Sequence, residues 1–158
     1  MILLALIYIH TLSAAVLFGT GAGIAFFMVW ANRTRDAATV AAVSRIVVTA
    51  DFVFTATAVV VQPVTGAAMI AVQRWDPFQP WLVVAYGLFI LTGACWLPAL
   101  GLQIKMRNLA IEAALLGEPL SPAYHRLYRL WFALGWPAFA AVLAIYALMI
   151  AMPIWGTP

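Results

Sequence analysis

Few residues in this chain can do chemistry, and the first of them is His10. It follows Met1-Ile-Leu-Leu-Ala-Leu-Ile-Tyr-Ile and precedes Leu12 and Ala14-Ala-Val-Leu-Phe, and no Asp, Glu, Lys or Arg lies between Met1 and Trp30. An ionisable side chain at bilayer depth is costly and marks a functional site by default. A neutral imidazole there has two uses. It can ligate a metal through one ring nitrogen, or it can hydrogen-bond a carbonyl or hydroxyl of a neighbouring helix. Asp51 is the second costly residue. It can relay protons or bind a cation, but Arg45 lies six positions earlier. An ion pair with Arg45 or Arg129, or a hydrogen bond from Trp131 or Trp136, makes it structural, and that is the reading preferred here.

Gln62 precedes Pro63. It either caps the carbonyl that the proline frees or lines a site together with His10. Met69, Met149 and Met152 with His10 would form a soft donor set suited to Cu(I), although only Met149-x-x-Met152 has ligand-like spacing. Met is also ordinary packing material. His125, within Tyr124-His-Arg-Leu-Tyr-Arg129, reads as an anchor at the level of the lipid headgroups. No hydrolytic triad, metalloprotease helix or nucleotide loop is present in the sequence. The single cysteine, Cys95, forms no disulfide framework and no covalent haem-attachment motif.

These residues must be positioned by membrane helices. The 158 residues are 66% hydrophobic and 8% charged, with a mean hydropathy of +1.05. Long continuous apolar runs exclude the alternating pattern of a β-barrel, and in lipid each run must satisfy its own backbone as a helix. The fold expected is an all-α bundle of four transmembrane helices over about 2–30, 37–73, 81–104 and 124–152. The first is read as an uncleaved helix rather than a signal peptide, since no basic segment precedes its long apolar run. Asn32-Arg-Thr-Arg-Asp36 is a polar turn, and Arg74 to Trp81 is a loop set by Pro77 and Pro80. A short surface helix is expected over Met106 to Leu116, ended by Gly117, with proline kinks at Pro63, Pro98 and Pro137. Gly19-x-x-x-Gly23 has the spacing that lets membrane helices approach closely, within the bundle or in a homo-oligomer or larger complex.

Arg33, Arg35, Arg45, Lys105, Arg107, Arg126 and Arg129 fall on one side of these spans, and only Arg74 on the other. The positive-inside rule then puts both termini outside. The net charge of +3 follows from this placement and does not imply a nucleic acid. At about 1.5 Å per residue, His10 lies roughly 12 Å from the outer end of its helix. Gln62, Tyr86 and Tyr146 come to comparable depth, while Asp51, Cys95, Gln103, Trp131 and Trp136 belong to the inner half. His10 and His125 are then on the order of 20 Å or more apart in a core ~30 Å thick, too far to hold one haem between them.

His10-Thr-Leu-Ser-Ala-Ala-Val-Leu-Phe-Gly19, Gln62-Pro-Val-Thr-Gly66, Gly93-Ala-Cys-Trp-Leu-Pro98 and Arg129-Leu-Trp-Phe-Ala-Leu-Gly-Trp-Pro137 together resemble a bacterial family of predicted integral membrane proteins with a domain of unknown function. That resemblance covers nearly the whole chain and implies a bacterial inner-membrane location. More distantly, His10, Phe18-Gly19, Pro63, Thr65-Gly66, Arg129 and Pro137 resemble elements of the HemJ-type protoporphyrinogen oxidases, helical membrane proteins associated with b-type haem. This resemblance implies His10 as an axial ligand. The lysine of that family near the start of its third helix has no counterpart in Trp81-Leu-Val-Val-Ala85. A looser resemblance to CopD-like copper-resistance proteins keeps copper open.

The function expected first is therefore a haem b (heme b) protein of the inner membrane with an electron-transfer or oxidoreductase role. His10 would ligate the iron, Gln62, Tyr86 and Tyr146 would line the pocket, and Arg74 would reach a propionate. The alternatives are an accessory subunit of a larger membrane complex and a copper-handling protein.

Overall fold

In the computed structural model, residues 1–151 are described. All of their regular elements are helical, and four spans are long and apolar enough to cross a membrane. The first, α1, runs over Ile2–Thr34. Its end is set by Arg35, which takes a left-handed conformation (φ 57°) and returns its N–H to the Asn32 carbonyl. Asp36 then caps α2 (Ala37–Ala50), its carboxylate accepting from the N–H groups of Ala38 and Thr39. The second span continues without a loop through a π-helical segment, Asp51–Thr55, into α3 (Ala56–Gln73). Pro80 occupies the first turn of α4 (Pro80–Leu116), where its missing N–H costs nothing, and Gly117 (φ 65°) ends that helix. The last span is α5, Pro122–Ala151.

Three sequence expectations change. The first helix continues past Trp30 to Thr34. The last begins at Pro122 rather than Tyr124, and its expected end at Met152 lies outside the described residues. No separate surface helix forms over Met106 to Leu116, because α4 is one unbroken helix of 37 residues, about 55 Å long at ~1.5 Å per residue. That exceeds the ~30 Å hydrocarbon core, so α4 projects beyond it. Nothing between Pro98 and Gly117 breaks the helix, and Met106, Ala110 and Ala113 form a buried stripe at helical spacing that holds the projecting part. The chain also stays helical through Pro63, Pro98 and Pro137. In the second span the departure from α geometry falls at Asp51–Thr55, ahead of the proline.

The spans alternate in direction. Thr65 of α3 meets His10 of α1, Phe18 of α1 packs on Tyr146 of α5, and Met28 shares a buried cluster with Tyr124. Both ends of the described chain therefore lie at one end of the bundle. The closest packing joins α1 to α3, α4 to α5, and α2 to α4.

Burial is concentrated at the other end, the basic one, where Met28, Val40, Met106 and Tyr124 are fully enclosed. Toward the chain termini α1 exposes Ile2, Leu4, Tyr8 and Leu12. Only 6% of the apolar window of α1 is buried inside the chain, as fits a helix whose solvent is lipid. Among the described residues, the Gly19-x-x-x-Gly23 stripe draws no other helix into contact. A Cβ at Gly19 or Gly21 would meet nothing within 4 Å, and one at Gly23 would meet only Phe27 of the same helix at 3.9 Å.

Candidate functional site

His10 is tied to α3 by two side chains of that helix, Thr65 and Gln62. Its Nδ1 lies 2.7 Å from the Thr65 hydroxyl, which in turn lies 2.7 Å from the carbonyl of Val61. A threonine in a helix readily donates to the carbonyl one turn back. When the hydroxyl proton goes to that carbonyl, Thr65 accepts from Nδ1–H, and the electron pair of the imidazole is on Nε2. Gln62 secures the same stretch from the other side. Its Nε2 donates to the His10 carbonyl at 2.8 Å and to the Ser13 hydroxyl at 2.6 Å. Gly66 faces the same ring, since a Cβ there would stand 3.6 Å from Cε1 of the imidazole, an ordinary van der Waals contact.

Beside this knot lies a cavity of about 410 Å³ bounded by α1, the π segment, α3, α4 and α5. Next to it α1 and α5 touch at Phe18, which stacks on Phe139 at 5.2 Å and meets Tyr146 edge-on at 5.8 Å, and the two helices come together again at the basic end around Met28 and Tyr124. The cavity wall is mostly apolar and aromatic, and the polar exceptions include Gln62 at one end and Asp51, Thr55 and Gln103 at the other. Phe132 and Trp136 line it and are also exposed, so the cavity opens toward lipid on the α5 side.

Asp51 is 4% exposed and holds the deep end together. One carboxyl oxygen accepts from Gln103 Nε2 at 2.9 Å, and the other accepts a longer bond from Trp96 Nε1 at 3.3 Å. Gln103 Oε1 in turn accepts from Trp131 Nε1 at 2.9 Å. Neutral donors on α4 thus replace the expected Arg45 or Arg129, and Trp131 reaches Asp51 only through Gln103. Arg45 and Arg129 are both exposed. Thr55, one turn after Asp51, is 6% exposed, and its hydroxyl has no hydrogen-bond partner among the described residues.

The residues expected to share one pocket with His10 are divided. Gln62 and Tyr146 line the cavity, whereas His10 stands just outside its wall, a turn before Ala14. Tyr86 is not in the wall and is 41% exposed, because α4 turns Leu82 and Ala85 inward and leaves Tyr86 facing out. Arg74 ends α3 in a left-handed conformation and is exposed at the loop, apart from both His10 and the cavity. Among the described residues no three of His, Cys, Asp and Glu converge as a metal site. Met149 is exposed, and Met152 lies outside the described residues.

Sequence reasoning placed Gln62 at the depth of His10 but did not pair Thr65 or Ser13 with it. Thr65 and Ser13 are ordinary helix residues, and the one available signal was their spacing. Ser13 follows His10 by one turn, as Thr65 follows Gln62.

No curated protein and no solved structure matches the chain significantly. Residues 4–153 match the family model described as predicted integral membrane protein (DUF2269). That span takes in the His10 knot, the cavity and all four membrane helices, and the chain belongs to this family of predicted integral membrane proteins.

Proposed function

We propose that this is a b-type haem protein of the bacterial inner membrane, with His10 Nε2 as an axial ligand and an electron-transfer role. The observation that carries the reading is the relay from Nδ1 of His10 through Thr65 to the Val61 carbonyl. Ligating histidines are held in this manner, with the second ring nitrogen donating to a fixed acceptor that sets tautomer and ring orientation. One such imidazole is a sufficient protein ligand for haem, so the residues present fit the group. The distant resemblance to HemJ-type proteins points the same way. Gln62 would hold the His10 backbone in place, and a haem on Nε2 would lie at the His10 knot, beside the cavity rather than within its aromatic wall. When bound, haem would supply one-electron redox chemistry at the iron.

The positive-inside rule supports placing the Arg33–Arg35 and Lys105–Arg129 connections in the cytoplasm and both termini in the periplasm. Gly19 and Gly23, unused inside the chain, are where a second copy or a partner helix would pack.

The deciding experiment is an absorption spectrum of detergent-purified protein before and after dithionite reduction. The reading expects a Soret band with sharp reduced α and β bands, lost in His10→Ala. A flat spectrum from protein expressed with added haem would overturn it.

A further inference from the structure

The deep end of the cavity is chemically separate from His10. Gln62 follows Asp51 by eleven residues, about 16 Å of helix at ~1.5 Å per residue. Three observations there converge. First, Asp51 is a buried carboxyl whose hydrogen-bond partners, Gln103 and Trp96, are both neutral, and no Lys, Arg or His lines the cavity. Buried charges in proteins are normally matched by an opposite charge. Second, Thr55 lines the same cavity and is more than nine-tenths buried, and its hydroxyl, enclosed in the wall, is without a partner among the described residues.

The cause of that orphan is local. The N–H of Ala56 reaches back to the Asp51 carbonyl, closing the π turn. A helical threonine often back-bonds to the carbonyl four residues earlier, as Thr57 does to Val53, and Thr55 does not. Single π turns of this kind are frequent at functional sites. Third, Trp96, Trp131, Phe132 and Trp136 stand in the same wall, and aromatic rings are the side chains that attract a cation without a charge of their own.

We propose that this end of the cavity binds the ammonium group of a lipophilic amine that enters from the bilayer. The ammonium donates to the Asp51 carboxylate and, with the Thr55 side chain turned toward the cavity, to the Thr55 hydroxyl, which makes good both the missing charge and the missing hydrogen bond. The aromatic rings surround the remainder of the head, and the apolar tail runs along the cavity toward Phe139. The mouth at Phe132 and Trp136 gives such a molecule entry without crossing the polar end of the bundle. His10 takes no part, so the inference stands or falls independently of haem.

The test uses the full chain in nanodiscs, both wild type and a haem-free His10→Ala variant. The probe is radiolabelled 2,2-diphenylethylammonium, and its neutral isostere 1,1-diphenylpropane serves as competitor. The amine should bind saturably to both proteins, and the neutral hydrocarbon should compete at least tenfold more weakly than unlabelled amine. Asp51→Asn should lower affinity at least tenfold. Thr55→Val removes a hydroxyl that supports nothing in the fold, so it stays folded even if Asp51→Asn does not, and it should lower affinity severalfold.

Equal competition by the hydrocarbon would show a cavity that reads shape alone, and would overturn the proposal. So would absence of saturable binding, or wild-type affinity in Thr55→Val. A haem spectrum that fails while amine binding persists would remove the haem reading and leave this one intact.

Discussion

His10 of α1 and Thr65 of α3 stand 2.7 Å apart, although 55 residues separate them in sequence. The contact fixes both the helix pairing and the protonation pattern of the only histidine that is within the apolar part of a span. Thr65→Val keeps the shape of the side chain and removes the acceptor for Nδ1–H. The expected result is a loss of roughly 10- to 100-fold in haem affinity, the usual cost of removing a partner that orients a ligand. Thr65→Ser should retain binding. Haem titration of the purified apoprotein followed at the Soret band distinguishes them, and equal affinity in wild type and Thr65→Val would discard the relay.

Gln62 ties α3 to α1 through the His10 carbonyl and the Ser13 hydroxyl. Hydrogen bonds between membrane helices average about 0.6 kcal/mol and reach about 1.7 kcal/mol. Gln62→Leu should therefore destabilise the fold within that range, and Ser13→Ala by less. A double-mutant cycle followed by denaturant unfolding in mixed micelles should show coupling between the two positions. Strict additivity would mean that the 2.6 Å contact contributes nothing.

Gln103 is 2% exposed and joins two partners, donating to Asp51 and accepting from Trp131. Gln103→Leu leaves a carboxyl oxygen and an indole N–H without partners at once. Each buried unsatisfied group costs about 1–3 kcal/mol, so this change should be among the most damaging single substitutions in the bundle. Gln103→Glu keeps an acceptor for Trp131 but sets two carboxyls against each other, and should be worse than Gln103→Leu. Thermal unfolding in detergent orders the two variants, and the reverse order would show that Gln103 does not bridge the π segment to α5.

The four spans were legible because lipid imposes a simple rule. A run such as Ile2 to Trp30, with His10 as its one readily titrated side chain, has no other stable form in a bilayer. The depth match of His10 with Gln62 was legible for the same reason, since rise per residue is nearly constant. Rotation about the helix axis was not. Tyr86 lies at a suitable depth, but α4 turns it outward, and hydropathy does not register this because the lipid-facing and inward-facing positions of a membrane helix are both apolar. The π segment at Asp51–Thr55 was equally hidden. Pro63 drew the expectation of distortion, yet a π turn arises from hydrogen-bond choices that leave no mark on composition. The length of α4 was obscured by Lys105 and Arg107, which look like a loop until Met106, Ala110 and Ala113 are seen to pack inward.

Asp36 offers a pH dependence outside the membrane. The Thr39 hydroxyl, then the Thr39 N–H and the Ala38 N–H, hold its carboxyl below the usual carboxylate range, outweighing a small opposing effect of burial. A carboxylate depressed on folding adds stability that is complete above its unfolded pKa of about 3.8. That stability is lost as pH falls through the lower folded value. The turn between α1 and α2 should accordingly loosen only in strong acid. Asp36→Asn keeps an acceptor for the N-terminus of α2 but does not titrate, so its stability profile should be flatter at the acid limit. Asp36→Ala should be less stable than wild type at neutral pH as well. Unfolding midpoints measured from neutral pH into acid give the comparison. An acid limb of the same shape in Asp36→Asn would assign the loss to other carboxyls.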